Sequence, residues 1–339
     1  MPTSKKTIVS APGKIILFGE HSVVYGQPAI ALPVTQVSAT CRLSYGEHQG
    51  VLIQMPDIDE ETYLHEAPLD HPHAAAIREF VQRAPDIVPH LKGLCIELTS
   101  TIPIGRGLGS GAALAASLLR GMATHFDQPQ LGTDAAISEM TYEIEKLHHG
   151  TPSGIDNTVV SYERPIFFVR DMFNSDRKTL EMLLDREGYY LFLPAVTPFL
   201  VNKRFNILIA DTGITALTKK AVGDVRSDWM RNRLMVETYF MRAGEIAIEA
   251  LQAIRTGEIE TLGLLMNFNH KVLKLLNVSS EELDSLVSTA LEAGAMGAKM
   301  SGGGRGGNMI ALVSEETKAD VSAALLQAGA KSVIDTFVA

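Results

Sequence analysis

The chain has 339 residues, 46% hydrophobic and 20% charged, and its 39 acidic against 30 basic side chains leave a formal net charge of −9. Single cores stop growing at roughly 250–300 residues, so this length predicts two lobes, and the negative field argues against nucleic acid or an anionic membrane as partner, so an anionic substrate needs a local basic pocket. Cys41 and Cys95 lie far apart and outside any metal-binding spacing, and no apolar run approaches a membrane span; neither a disulfide framework, a zinc site nor a membrane anchor is indicated, and the expected setting is cytoplasmic.

In chain order, residues 7–9 and 15–18 read as short buried strands separated by the turn "SAPGK", whose Pro12, Gly13 and Lys14 come too early for a secretory leader. Residues 34–45 alternate apolar and polar side chains, the period of a strand with one covered face. "LCIELTSTIP" is a further strand ending at Pro103. The glycine loop "GRGLGS" then runs into residues 112–126, almost wholly apolar or small, as suits a helix buried nearly all round. Thr133 or Asp134 caps the next helix, with Ile137, Met140, Ile144 and Leu147 as its apolar stripe. "HHGTPSGIDN" ends it through Gly150, Pro152 and Gly154. Strand-like "RPIFFV" follows, then a helix-like "DRKTLEMLLDREG" and an apolar "YYLFLP". "NILIADTG" opens a second lobe, with helices predicted over 235–255, 259–276 and 281–293, then "GAKMSGGGRGGNMIALV" and a closing helix and strand. The lobes divide near residue 200.

Three glycine-bearing segments carry the chemistry. A glycine loop that enters a helix offers unpaired N–H groups and the positive end of the helix dipole to an anion. Gly105, Arg106, Gly107, Leu108, Gly109, Ser110 and Gly111 have that form without the lysine of a Walker A loop and without the downstream acid of a dinucleotide fold. "MSGGGRGGNMI" reads either as a glycine-rich hairpin or as a loop that closes over a ligand. "SAPGKIILFGEHSVVYG" places Lys14 on a turn and Glu20 and His21 after a buried run, where their side chains must be paired, exposed or functional. Asp156 lies in the constrained turn "TPSGIDN", and Glu145 stands eleven residues earlier, one position off its helix's apolar stripe. Phosphoryl transfer needs a phosphate cradle, a carboxylate for Mg²⁺, a carboxylate near the attacking hydroxyl and a cation near the moving phosphoryl group. Each has a candidate.

These motifs, "APGKIILFGEHSVVYG", "PIGRGLGSGAA" and "KMSGGGRGGNMIAL" in that order, resemble those of the superfamily of galactokinase, homoserine kinase, mevalonate kinase and phosphomevalonate kinase. Within it, "GEHSVVYGQPAIALPV", "HGTPSGIDN" with Glu145 upstream, "ADTG" and "MNFNHKVLKLLNVSSEELDSLV" are most similar to the mevalonate kinase family; residues 171–203 lie outside the match. The resemblance implies a two-lobe α+β fold, with a ribosomal-protein-S5-like N-terminal lobe, a ferredoxin-like C-terminal lobe and the active site in the cleft. It implies ATP and Mg²⁺ as cofactors, mevalonate as substrate and a homodimer. By position, residues 105–111 wrap the ATP phosphates, Glu145 and Ser110 hold the metal, and Asp156 faces the substrate hydroxyl. Lys14 stands beside Asp156 and the γ-phosphate, and Glu20, His21 and Gly303 line the substrate.

Two departures from that family stand out. Gly111 occupies the place of a second serine credited with touching Mg²⁺, and Arg305 interrupts a run where glycine is usual. A non-glycine residue resists positive φ, which predicts negative φ at Arg305 and a guanidinium aimed at the cleft or at solvent. Other members of the superfamily, a mevalonate diphosphate decarboxylase and a silent nucleotide-binding protein are the rival readings, because fold and motif do not fix the substrate.

Overall fold

The computed structural model describes residues 5–149, 152–170, 180–184, 190–194, 196–215 and 218–339. The chain runs β1 (Thr7–Phe18), β2 (Ala29–Tyr45), β3 (Leu52–Met55), β4 (Glu60–Tyr63), α1 (Pro72–Arg83), β5 (Leu94–Ser100), α2 (Ser110–His125), α3 (Asp134–His149) and α4 (Ile155–Tyr162). It continues with β6 (Ile166–Phe168), β7 (Leu180–Leu184), β8 (Tyr190–Pro194), β9 (Val196–Pro198), β10 (Phe205–Asp211), α5 (Thr218–Arg231), α6 (Arg233–Thr256), α7 (Ile259–Leu275), α8 (Glu281–Glu292), β11 (Gly297–Ser301), β12 (Asn308–Val313), α9 (Lys318–Gln327) and β13 (Ser332–Val338). The expected α+β class is the one observed. Two compact units form: one from the chain up to Lys14 with Pro33–Pro103 and Gly109–Glu163, the other from Ile15–Leu32, Ile104–Leu108 and Arg164–Ala339.

In the first unit the sheet order is β4, β3, β5, β2. β2 and β5 pair antiparallel from Ala39 opposite Ser100 to Tyr45 opposite Leu94, β3 lies parallel to β5, and β3 and β4 form a hairpin. Ala39, Cys41 and Leu43 are buried and Arg42 between them is exposed, as the alternation predicts. α2 packs on this sheet at Gly121, where a Cβ would come within 2.8 Å of the Leu43 side chain. α2 is alanine-rich and buried along most of its length, α1, α3 and α4 pack around it, and the Thr133 hydroxyl accepts from the Ala136 N–H at the start of α3. Asn157 fastens α4 to α3 by donating to the backbone oxygen and hydroxyl of Ser138, both at 3.0 Å.

In the second unit β10, β11, β12 and β13 form an antiparallel sheet in the spatial order β11, β12, β10, β13. α5 to α8 intervene between β10 and β11, and α9 between β12 and β13, which is the ferredoxin-like succession. β10, β11 and β12 are buried throughout, with α7 and α8 packed on β11 and α9 on β10 and β13. Ser280 caps α8 by accepting from the Leu283 N–H, and Glu281, Glu282 and Asp284 complement the dipole in its first turn. The start of β2 pairs with β6, β6 pairs with β9, and β7 and β8 form a hairpin.

Two sequence expectations change here. "SAPGK" is no turn: residues 7–18 form one strand, β1, paired with β2, and that pairing overrides the local breaker signal of Pro12 and Gly13. In the helix-like "DRKTLEMLLDREG", Leu180–Leu184 is strand, because a short apolar run is ambiguous in period and a hairpin partner decides it. The rest of that stretch lies outside the described residues, as do Gly150 and Thr151 of the helix-ending motif.

Candidate active site

Lys14 lies on β1, at the last residue of that strand counted in the first unit, and its Nζ is 2.9 Å from Oδ1 of Asp156. Lys14 is buried, while the Asp156 side chain is 31% exposed in the first turn of α4, where helix N–H groups favour a carboxylate. The lysine stem passes directly over Gly109, the N-cap of α2. A Cβ there would sit 2.9 Å from Lys14 Cγ, and its φ of 75° also favours glycine. Glu145, on α3, is buried, whereas Leu147 at the end of the predicted apolar stripe is 49% exposed. Burial, reinforced by the negative charge of Asp156 and opposed by Lys14, pushes the Glu145 carboxyl up to about 7. Gly111 faces it: a Cβ on Gly111 would stand 3.7 Å from Glu145 Oε1, an ordinary contact.

Within the second unit lie the rest of the glycine loop and the other motif residues. Gly105 and Gly107 have positive φ, as does Gly109 next along the chain, so left-handed residues alternate with Arg106 and Leu108. Such alternation makes a concavity of backbone N–H groups suited to an anion. Arg106 anchors the loop: its Nε lies 3.3 Å from Asp211 of "ADTG", and its carbonyl accepts from Asn308 Nδ2 at 2.5 Å. Leu108 is buried.

Glu20 and Lys299 form an ion pair with both side chains fully buried, and Lys299 also donates to the Met300 carbonyl at 2.7 Å. Burial pulls the Lys299 ammonium down, and Glu20 opposes that shift. His21 is buried at a φ of 61°, with Nε2 3.0 Å from the Gly303 carbonyl. A carbonyl only accepts, so Nε2 carries the hydrogen and Nδ1 keeps its lone pair. Burial lowers the His21 pKa to about 4; the Gly303 hydrogen bond raises it and the charge of Arg305 lowers it further. The imidazole is therefore neutral at physiological pH. Ser301 completes the link between first and third motifs by donating to the Ile16 carbonyl at 2.8 Å and accepting from its N–H at 3.2 Å.

The glycine-rich third motif is the hairpin connection between β11 and β12. Arg305 within it has a φ of 56°, against the expectation of negative φ. The left-handed conformation is imposed by its neighbours: the Arg305 N–H donates to the Val278 carbonyl at 2.8 Å, and the guanidinium is engaged by Asp224 and Asn277.

Lys14, Gly109, Ser110, Gly111, Glu145 and Asp156 thus belong to one unit, and Glu20, His21, Gly105, Arg106, Gly107, Leu108 and Gly303 to the other. Lys299, Asp211, Asn308 and Asn157 escaped the reading of the sequence. For Lys299 a signal existed: an acid after a buried run needs a partner, and "GAKM" holds one base in an apolar strand. Among the described residues no group of three or more His, Cys, Asp and Glu side chains is placed to hold a metal by itself, and no helix is long and apolar enough to cross a membrane.

Residues 73–164 match the model of the GHMP kinases N terminal domain, and residues 247–331 that of the GHMP kinases C terminal. The chain is similar to the mevalonate kinase of Pyrococcus abyssi, at 32% identity over 96% of this chain and 94% of that protein. With the mevalonate kinase of Aeropyrum pernix it shares 35% identity over 90% of this chain and 88% of the other. Among solved structures, L. major mevalonate kinase in complex with R-mevalonate superposes with a TM-score of 0.77 at 27% identity, covering 99% of this chain and 96% of that one. Streptococcus pneumoniae phosphomevalonate kinase gives a TM-score of 0.78 over 98% of this chain and 99% of that one, but at 14% identity this likeness speaks for the fold alone.

Proposed function

The chain belongs to the GHMP kinase family, and we propose that it transfers the γ-phosphoryl group of ATP to the 5-hydroxyl of (R)-mevalonate, giving 5-phosphomevalonate and ADP. The observation that carries this reading is the contact between Lys14 and Asp156 in the unit that also holds Glu145 and the start of α2. The identity to mevalonate kinases along nearly the whole chain supports mevalonate over the other substrates of the family.

A primary alcohol is far too weak an acid for Asp156 to ionise in advance. Asp156 therefore orients the hydroxyl as its oxygen bonds to phosphorus, and accepts the proton late, as the bond to the bridging oxygen of ADP breaks. Lys14, held to Asp156 and aligned over Gly109, offsets negative charge on the moving group. The backbone N–H groups of residues 105–111 cradle the phosphates, and the neutral His21, Glu20 through its ion pair, and Gly303 shape the mevalonate side.

The donors present fit Mg²⁺. Glu145 is a buried carboxylate whose affinity for a proton is raised by burial and by Asp156, so a divalent cation nearby would favour its ionised form. Glu145 and Ser110 would hold the ion, with phosphate oxygens and water completing a shell that Mg²⁺ tolerates. When bound it supplies charge neutralisation at the phosphates. A homodimer belongs to the same reading and rests on the resemblance to the family; a cytoplasmic setting and a lobe boundary near residue 200 belong to it on the sequence patterning alone.

The test is incubation with ATP, Mg²⁺ and racemic mevalonate, following ADP release and locating new phosphate by ³¹P NMR. A 5-phosphate monoester, with consumption stopping at half the racemate, is the expected result. ATP binding without turnover of mevalonate would overturn it, and release of CO₂ would move the chain to the decarboxylases.

A further inference from the structure

A glycine run gains order only from what grips it, and the residue that breaks this run is gripped most. Arg305 holds a left-handed φ of 56°, which a side-chain-bearing residue keeps only when its surroundings over-determine it. Its backbone N–H donates to the Val278 carbonyl at 2.8 Å. Its Nε and Nη2 donate to the Asn277 carbonyl at 3.2 and 3.0 Å, and its Nη1 pairs with Asp224 on α5. The preceding glycine packs on the same turn, since a Cβ on Gly304 would collide with the Val278 carbonyl. Two residues before Arg305, the Gly303 carbonyl accepts the hydrogen bond of His21.

We propose that Arg305 is a positioning residue, a clip that fastens the third glycine run to α5 through Asp224 and to the turn after α7 through Asn277, and so sets the Gly303 carbonyl that orients His21 toward mevalonate. The proposal rests on the mevalonate kinase reading. Arg305 acts through its neighbours, because its planar fork is occupied by Asp224 and Asn277. A glycine at this position would have no side chain to make the clip.

The experiment compares Arg305→Gly, Arg305→Lys, Asp224→Asn and the Arg305→Gly/Asp224→Asn double variant, measuring kcat, KM for mevalonate, KM for ATP and the thermal midpoint of each. Arg305→Gly should raise KM for mevalonate by about threefold or more, the scale of a partly exposed ion pair, with KM for ATP unchanged and no loss of thermal midpoint, because glycine relieves the left-handed strain. Asp224→Asn should raise KM for mevalonate in the same direction, the double variant should be no worse than Arg305→Gly alone, and Arg305→Lys should recover part of the loss. An unchanged KM in Arg305→Gly overturns the proposal. So does an effect of Asp224→Asn that adds fully to that of Arg305→Gly, which would mean that Arg305 meets the substrate itself. Wild-type turnover is the control: its absence removes the kinase reading, whereas turnover with an unchanged variant removes only the clip.

Discussion

Lys14 Nζ and Asp156 Oδ1 stand 2.9 Å apart, the lysine buried and the carboxylate partly open to solvent. In the proposed mechanism the pair joins the cation that offsets phosphoryl charge to the carboxylate that takes the hydroxyl proton. Asp156→Asn should lower kcat by about 10²–10⁴-fold, the usual worth of a positioned acid–base group, and leave ATP affinity near wild type. Single-turnover rates and nucleotide titration on the same preparation check it.

Gly111 is exposed, and a Cβ there would make an ordinary 3.7 Å contact with Glu145 Oε1. Gly111→Ser should therefore be accommodated without distortion and should bring a hydroxyl beside the carboxylate proposed to hold the metal. The expected outcome is half-maximal activity at lower Mg²⁺ with a folded protein of unchanged or higher thermal midpoint, as serine also favours the helix over glycine by a few tenths of a kcal/mol. A Mg²⁺ titration of activity reads it directly.

Glu145 is raised from the ordinary 4.5 to about 7 in the folded protein, chiefly by burial. Between those values the folded chain holds a proton that the unfolded chain has released, so stability falls as pH rises through that window. Glu145→Gln cannot ionise. It should flatten the decline and raise stability above pH 7 without Mg²⁺, by up to about 3 kcal/mol at 1.36 kcal/mol per pKa unit. Urea unfolding at pH 5 and pH 8 measures the difference.

Lys299 and Glu20 are both shut off from solvent. Lys299→Met should leave the Glu20 charge buried without its cation and destabilise the fold by about 3–5 kcal/mol. Adding Glu20→Gln should recover a good part of that loss, since a neutral amide is cheaper to bury than a charged carboxylate that has lost the Lys299 ammonium. Comparison of denaturant midpoints for the two variants is the measurement.

Local patterning and motif order dictate the part of this protein that is legible in its sequence. The alternation of Ala39, Cys41 and Leu43, the nearly apolar α2 and the helices near 235–255, 259–276 and 281–293 all follow from periodicity and breakers, and all are present; the third glycine run, open between a hairpin and a closing loop, is a hairpin connection. The residue types needed for phosphoryl transfer, Lys14, Glu145, Asp156 and a glycine loop, were legible as an ordered set. β3, β4, α1 and α5 carried no signal strong enough to be read.

Everything that depends on a partner distant in sequence came from the fold. Pairing with β2 carries β1 straight through Pro12 and Gly13, and a hairpin makes strand of Leu180–Leu184. Lys299 neutralises Glu20 across 279 residues, and Asp224 and Asn277 hold Arg305 where its own backbone preference would not put it. Sequence determined which groups this protein has and the local conformations they favour. Burial, long-range pairing and the low dielectric of the interior decided which charges meet and which carboxyl is pushed up from its ordinary value, because those energies exist only once the chain has closed around them.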